Sequence, residues 1–185
     1  FSQINENNFV VQKFDNNFNK KSIIKFELNS DKVIFSFANN FTYIFNDQFL
    51  YVLNKDNELI LKEKTLCKGI ETFNKEKYEF TAIISNDVMI YDSNNILRQK
   101  IESTNTDSIV FSNSYLILNN FTENIINIYA LDNNGIFIHF GKANIKDCKE
   151  VSIVNNRIIL NYGSYIIKYI DLPIRYYDEN NLLGY

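Results

Sequence analysis

Four tyrosines, Tyr51, Tyr91, Tyr129 and Tyr169, mark the chain at intervals of 40, 38 and 40 residues. The sequence around the first three recurs with them. Residues 46–64 read NDQFLYVLNKDNELILKEK, residues 86–101 read NDVMIYDSNNILRQKI, and residues 124–140 read NIINIYALDNNGIFIHF. Each holds an apolar run with the tyrosine, a short stretch rich in Asn and Asp, and a second apolar run. The fourth tyrosine sits in NYGSYIIKYIDLPI at 161–174, and a weaker early copy lies in FVVQKFDNNFNKKSIIKF at 9–26. Further short apolar pieces lie between these hairpin-like segments: DKVIFSF (31–37), FTYIF (41–45), FTAII (80–84), SIVFS (108–112), SYLILN (114–119), VSIV (151–154) and RIILNY (157–162). Runs this short, rich in Ile, Val, Phe and Tyr, favour strands.

A unit of about 40 residues with about four short strands is the signature of a propeller blade. The expectation is therefore an all-β, β-propeller-like fold, small or incomplete, with room for four to five blades. A β-sandwich is the alternative, since it too has short strands at regular spacing. NDVMIYDSNNILRQKI resembles the last two strands of a WD-type blade, with Asp92 near the usual aspartate position. It departs from that pattern in lacking Trp-Asp and Gly-His. Asparagine tolerates the left-handed backbone that tight turns need. Asn94-Asn95 and Asn133-Asn134-Gly135 are expected to be such turns, and NKDNE at 54–58 a hairpin turn. Only EKTLCKGIETFNKEKYEF at 63–80 leaves room for a short helix.

The tetrapeptide NNFT occurs at 39–42 and 119–122, and each copy contains an Asn-x-Thr glycosylation acceptor. Two other readings stand beside glycosylation. One is an equivalent turn before a blade's third strand; the other is coincidence in a chain with 30 asparagines. The chain is also rich in Ile, Phe, Tyr and Lys but has only 5 Gly, 1 Pro and no Trp, the codon bias of an AT-rich genome.

At 185 residues, with 45% hydrophobic and 15% aromatic content, the chain can bury a core. Its net charge of -3 is not that of a general nucleic-acid binder. The start, FSQINENNFVVQK, is not a signal peptide, and no apolar run approaches the ~18 residues of a membrane span. The two cysteines, Cys67 and Cys148, are expected to be reduced and buried. The single histidine, His139, lies on a strand, with alternation placing it on the face of Phe137 and opposite Ile138 and Phe140. No nucleophile–base set, metal-ligand spacing, P-loop or GxGxxG turn is present, so no enzyme activity, cofactor or small-molecule substrate is expected.

The pattern changes after residue 170, dividing the chain into a propeller-like domain at 1–170 and an extended C-terminal tail at 171–185. The tail carries the only proline, Pro173, then Arg175, Tyr176, Tyr177, Leu182, Leu183, Gly184 and Tyr185. Arg and Tyr favour binding hot spots and stack on bases, so these eight residues are the candidate binding set. PIRYYDENNLLGY, at the end of a small AT-rich propeller-like chain, resembles the microsporidian dormancy factors that occupy idle ribosomes. That resemblance implies a cytoplasmic, non-enzymatic hibernation factor. It would bind rRNA and ribosomal proteins and block a tRNA site with its tail by steric occupation. The alternative is a propeller scaffold subunit of another multiprotein complex.

Overall fold

The computed structural model describes residues 2–5, 8–14, 17–27, 33–38, 40–46, 48–75, 78–102, 105–112, 114–173, 176–177 and 182–183. Every regular element among them is a strand. The chain divides into two compact units, residues 1–67 and 68–185.

The first unit begins with β1 (Ser2–Asn5), β2 (Asn8–Phe14) and β3 (Lys20–Glu27), which form a three-stranded antiparallel sheet. A four-stranded sheet follows, built in chain order from β4 (Val33–Phe37), β5 (Thr42–Asn46), β6 (Phe49–Leu53) and β7 (Leu59–Lys64). Every residue of β5 is buried, whereas β7 is mostly exposed and carries Lys62, Glu63 and Lys64. Charges of this kind suit an outermost strand, because they discourage further pairing.

The second unit repeats the plan. β8 (Gly69–Lys75), β9 (Tyr78–Ile84), β10 (Val88–Asp92) and β11 (Leu97–Ile101) form one antiparallel sheet. β12 (Ser108–Ser112), β13 (Tyr115–Asn120), β14 (Ile125–Leu131) and β15 (Phe137–Asn144) form the next. β16 (Glu150–Val154), β17 (Arg157–Gly163) and β18 (Ile166–Asp171) form a third, of only three strands. The two-residue strands β19 (Tyr176–Tyr177) and β20 (Leu182–Leu183) pair with each other. The first strand β12 lies beside the first strands β8 and β16.

Each sheet is made of consecutive strands paired in chain order, with no crossover between sheets. This meander repeats the propeller plan and replaces the sandwich alternative, whose Greek-key connections would join strands of different sheets. The repeat tyrosines take matching places. Tyr51, Tyr91, Tyr129 and Tyr169 all lie in the third strand of their sheet.

Alternation along β13 explains how the second unit holds together. Leu116 and Leu118 join a core with Phe80, Ala82, Ile84, Ile90, Ile109 and Phe137. Tyr115 and Ile117 face the other way, into a core with Ile126, Ile128, Val151, Ile158, Leu160 and Leu172. One strand thus serves two cores, and all six of its residues are buried. β17 differs: Ile158 and Leu160 are buried, but Arg157 is exposed and Ile159 and Asn161 are half-buried. Ile158 and Leu160 turn one face of the last sheet into the second core.

Two expectations are corrected. The helix considered within 63–80 is not formed. β8 pairs with β9 from Gly69↔Ile84 to Lys75↔Tyr78, and this pairing, with the β-formers Ile70, Thr72 and Phe73, overrides the helical preference of the nearby Glu and Lys residues. The two NNFT copies are not equivalent. The first precedes β5, a second strand, while the second runs from the end of β13 into the turn before β14, a third strand. Only the second matches the expected turn, so asparagine abundance accounts for the duplication. Asn39 lies outside the described residues.

Candidate interaction surface

The third-to-fourth-strand hairpins share one turn. In each, an Asn or Asp side chain closes a five-residue loop. Asn54 Oδ1 accepts from the Asp56 and Glu58 amides (3.0 and 2.9 Å). Asp92 Oδ1 accepts from Asn94 and Ile96 (2.9 and 3.0 Å). Asp132 Oδ1 accepts from Asn134 and Ile136 (2.9 and 2.8 Å). The fourth residue of each loop is left-handed: Asn57 (φ 69°), Asn95 (φ 59°) and Gly135 (φ 76°). The turns expected at 54–58, 94–95 and 133–135 are present.

Neighbouring sheets of the second unit are stitched by side chains reaching across. The Gln99 amide of β11 bonds both polar groups of one peptide residue of β15: Nε2 donates to Phe137 O (2.8 Å) and Oε1 accepts from Phe137 N–H (2.9 Å). Tyr78 Oη donates to Asn133 O (3.0 Å) and Ser112 Oγ to Asn155 O (2.6 Å). Tyr115 Oη donates to Pro173 O (2.8 Å), which also accepts from Asn156 Nδ2 (3.1 Å).

The third-strand tyrosines meet their sheets differently. Tyr51 lies opposite Lys62, whose Nζ is 5.4 Å from the ring centroid. Tyr129 lies opposite His139, edge-on at 5.3 Å, and burial raises the Tyr129 phenol's pKa. The register Leu131↔Phe137, Ala130↔Ile138, Tyr129↔His139 is unbroken, so His139 shares the face of Phe137 as alternation predicts, although Phe137 is buried and His139 exposed. Tyr169 lies in β18, which among the described residues pairs with β17 alone, and Arg157 of β17 lies 5.3 Å over its ring while bonding Asp171 (2.6 Å).

Among the described residues, one exposed apolar set lies on the last sheet. Ile166, Ile167 and Tyr169 of β18 are 54%, 50% and 57% exposed, Val154 of β16 is exposed, and Tyr165 is fully so. Three consecutive left-handed residues, Gly163, Ser164 and Tyr165, form the β17–β18 turn. An aromatic residue rarely adopts that conformation. Lys168 Nζ lies 4.9 Å over Tyr162, whose pKa is raised by burial and then by nearby Cys148 and Asp147. The Cys148 thiol is buried and donates to Glu150 O (3.1 Å). Cys67 is half-exposed, against expectation, because it lies in the loop after β7; no disulfide joins the two. Among the described residues no group of three His, Cys, Asp or Glu is placed to hold a metal ion.

Of the candidate tail residues, Pro173 is anchored by Tyr115 and Asn156. Tyr176 and Tyr177 pair through the backbone with Leu183 and Leu182. Arg175, Gly184 and Tyr185 lie outside the described residues. The candidate that sequence reasoning missed is β18 itself; its signal was IIKYID, a run with Ile166, Ile167 and Tyr169 and two charges of opposite sign, Lys168 and Asp171.

No protein-family profile matches the chain, and no curated protein matches it. Solved structures do. Kluyveromyces lactis Hsv2 is similar with a TM-score of 0.50 at 12% identity, over 77% of this chain and 47% of its own. Moraxella catarrhalis BamB is similar with 0.52 at 10%, over 75% and 42%. The N-terminal domain of Nup159 gives 0.51 at 13%, over 74% and 40%. All three are β-propellers, and the fold of this chain is propeller-like. The chain spans less than half the length of these propellers. Nothing in these likenesses points to the dormancy factors.

Proposed function

We propose that this chain is a non-enzymatic propeller-type scaffold that binds protein partners in the cytoplasm. The observation that carries this reading is the exposed apolar and aromatic run of β18 and the turn before it, Tyr165, Ile166, Ile167 and Tyr169. Contiguous exposed apolar surface marks interaction sites. Binding of this kind depends weakly on salt, whereas an RNA-docked surface loses affinity steeply as salt rises.

The test is affinity capture with the whole chain at low and high salt, with and without ribonuclease. A scaffold retains a defined protein partner under all four conditions. Loss of every partner at high salt or after ribonuclease overturns the scaffold reading. Ribosome hibernation is the narrower reading carried by the tail alone. Co-sedimentation with ribosomes decides it, comparing the full chain with one truncated after Leu172.

A further inference from the structure

β18 is an inner strand by repeat position and an edge strand in its sheet. Its equivalents β6, β10 and β14 are each flanked on both sides, by β5 and β7, β9 and β11, and β13 and β15. Among the described residues β18 pairs with β17 alone. The local route to a fourth strand is blocked by the exit from β18. Where the other sheets use an Asn or Asp to close a return turn, the Asp171 carboxylate is engaged by Arg157 (2.6 Å). Leu172 N–H donates to Asn156 O (2.7 Å), Leu172 packs in the core, and Pro173 O is held by Tyr115 and Asn156. The chain leaves β18 pinned against β13 and the β16–β17 turn.

This edge, unpaired among the described residues, has a definite register. The Leu172–Asn156 bond continues the β17 ladder, so antiparallel alternation turns the N–H and C=O groups of Asp171, Tyr169 and Ile167 away from β17. Their side chains share the face opposite the core that Ile158 and Leu160 enter. The outermost strands of the other sheets carry Lys62 and Lys64, Arg98 and Lys100, or Lys142. β18 offers an incoming strand exposed Ile166, Ile167 and Tyr169, with two charges of opposite sign, Lys168 and Asp171.

We propose that the outer edge of β18 receives an extended strand of a separate partner protein, added antiparallel to complete a four-stranded sheet. This deepens the scaffold reading and rests on it. Charge complementarity fixes the partner's chemistry. Opposite Asp171, Ile170, Tyr169, Lys168, Ile167 and Ile166 in turn stand a basic, an apolar, an aromatic, an acidic and two apolar residues. A cation does not suit the place opposite Tyr169, because Arg157 already occupies that ring.

The test uses the whole chain and a synthetic capped peptide, TRVFEVIT, with a control in which its Arg and Glu are exchanged. The expected result is slowed amide exchange at Ile167, Tyr169 and Asp171 and at least about tenfold weaker binding of the control, in keeping with a difference of about 1.4 kcal/mol. Ile167→Pro abolishes binding, since proline removes an outward N–H and leaves the β17 ladder intact. Should that variant unfold, Ile167→Lys, which keeps the backbone, decides instead. Binding without protection of β18, equal binding of the control, or full binding by a folded Ile167 variant overturns the proposal. So does a homodimer that Ile167→Lys converts to monomer, for then a second copy fills the edge. Partner capture that survives Ile167→Lys sinks the β18 assignment and leaves the scaffold reading standing, whereas peptide binding with no captured partner does the reverse.

Discussion

Gly135 is fixed by two independent constraints. Its φ of 76° is left-handed, and a Cβ there would sit 3.0 Å from Tyr78 Cε1. Gly135→Ala is expected to destabilise the chain by about 1–3 kcal/mol in urea unfolding, combining left-handed strain with displacement of the ring. Asn95→Gly, at the equivalent place, is expected to stay within about 0.5 kcal/mol, because glycine tolerates the same conformation. Glu71 carries a different signature. Partial burial raises its carboxyl pKa, so the folded state holds the proton more tightly than the unfolded chain. The stabilisation from protonation is full below the unfolded pKa and is lost as pH rises through the higher folded value. Glu71→Gln is therefore expected to melt above the parent at neutral pH and with it at acidic pH; a constant difference across the range would exclude this origin. The left-handed asparagines were legible in the sequence because turn chemistry is local. The role of Gln99 was not, since its partner lies 38 residues away.

Among elements, that glutamine is the point where two sheets meet. Its amide satisfies a donor and an acceptor on Phe137 at once. Gln99→Glu keeps the acceptor and turns a second oxygen toward Phe137 O, so it is expected to cost about 1–3 kcal/mol, more than Gln99→Ala. Equal losses in the two variants, measured by chemical unfolding, would mean that the amide only fills space. The hairpins centred on Tyr51, Tyr91 and Tyr129 were readable because the apolar–turn–apolar pattern is short and self-contained. β8 was not, because its Lys- and Glu-rich surroundings favour a helix until β9 is there to pair with. NNFT misled for the opposite reason: its likeness is real in letters, but its two copies sit before different strands.

At the scale of the whole chain, the repeat period carried the fold and said little about the site. A tail rich in Arg and Tyr drew attention by composition, while the open edge of β18 became visible only once strand order was known. An outer strand and an inner strand can share one sequence pattern; which neighbours they have is a property of topology.

The stitches in the second unit join residues 38, 43, 55 and 58 positions apart, each no farther than the adjoining sheet. A structure tied in this way behaves as a row of units whose stability is set by nearest neighbours. Within the second unit, among the described residues, β12 of the middle sheet lies beside strands of both the preceding and the following sheet, β8 and β16. Native-state hydrogen exchange is accordingly expected to open β16–β18 at lower free energy than β13 and β14, whereas simultaneous exchange throughout the unit would mean one cooperative block. The last sheet would then be the one whose folding a bound strand can reinforce, so that occupancy of β18 is felt as cooperativity along the row.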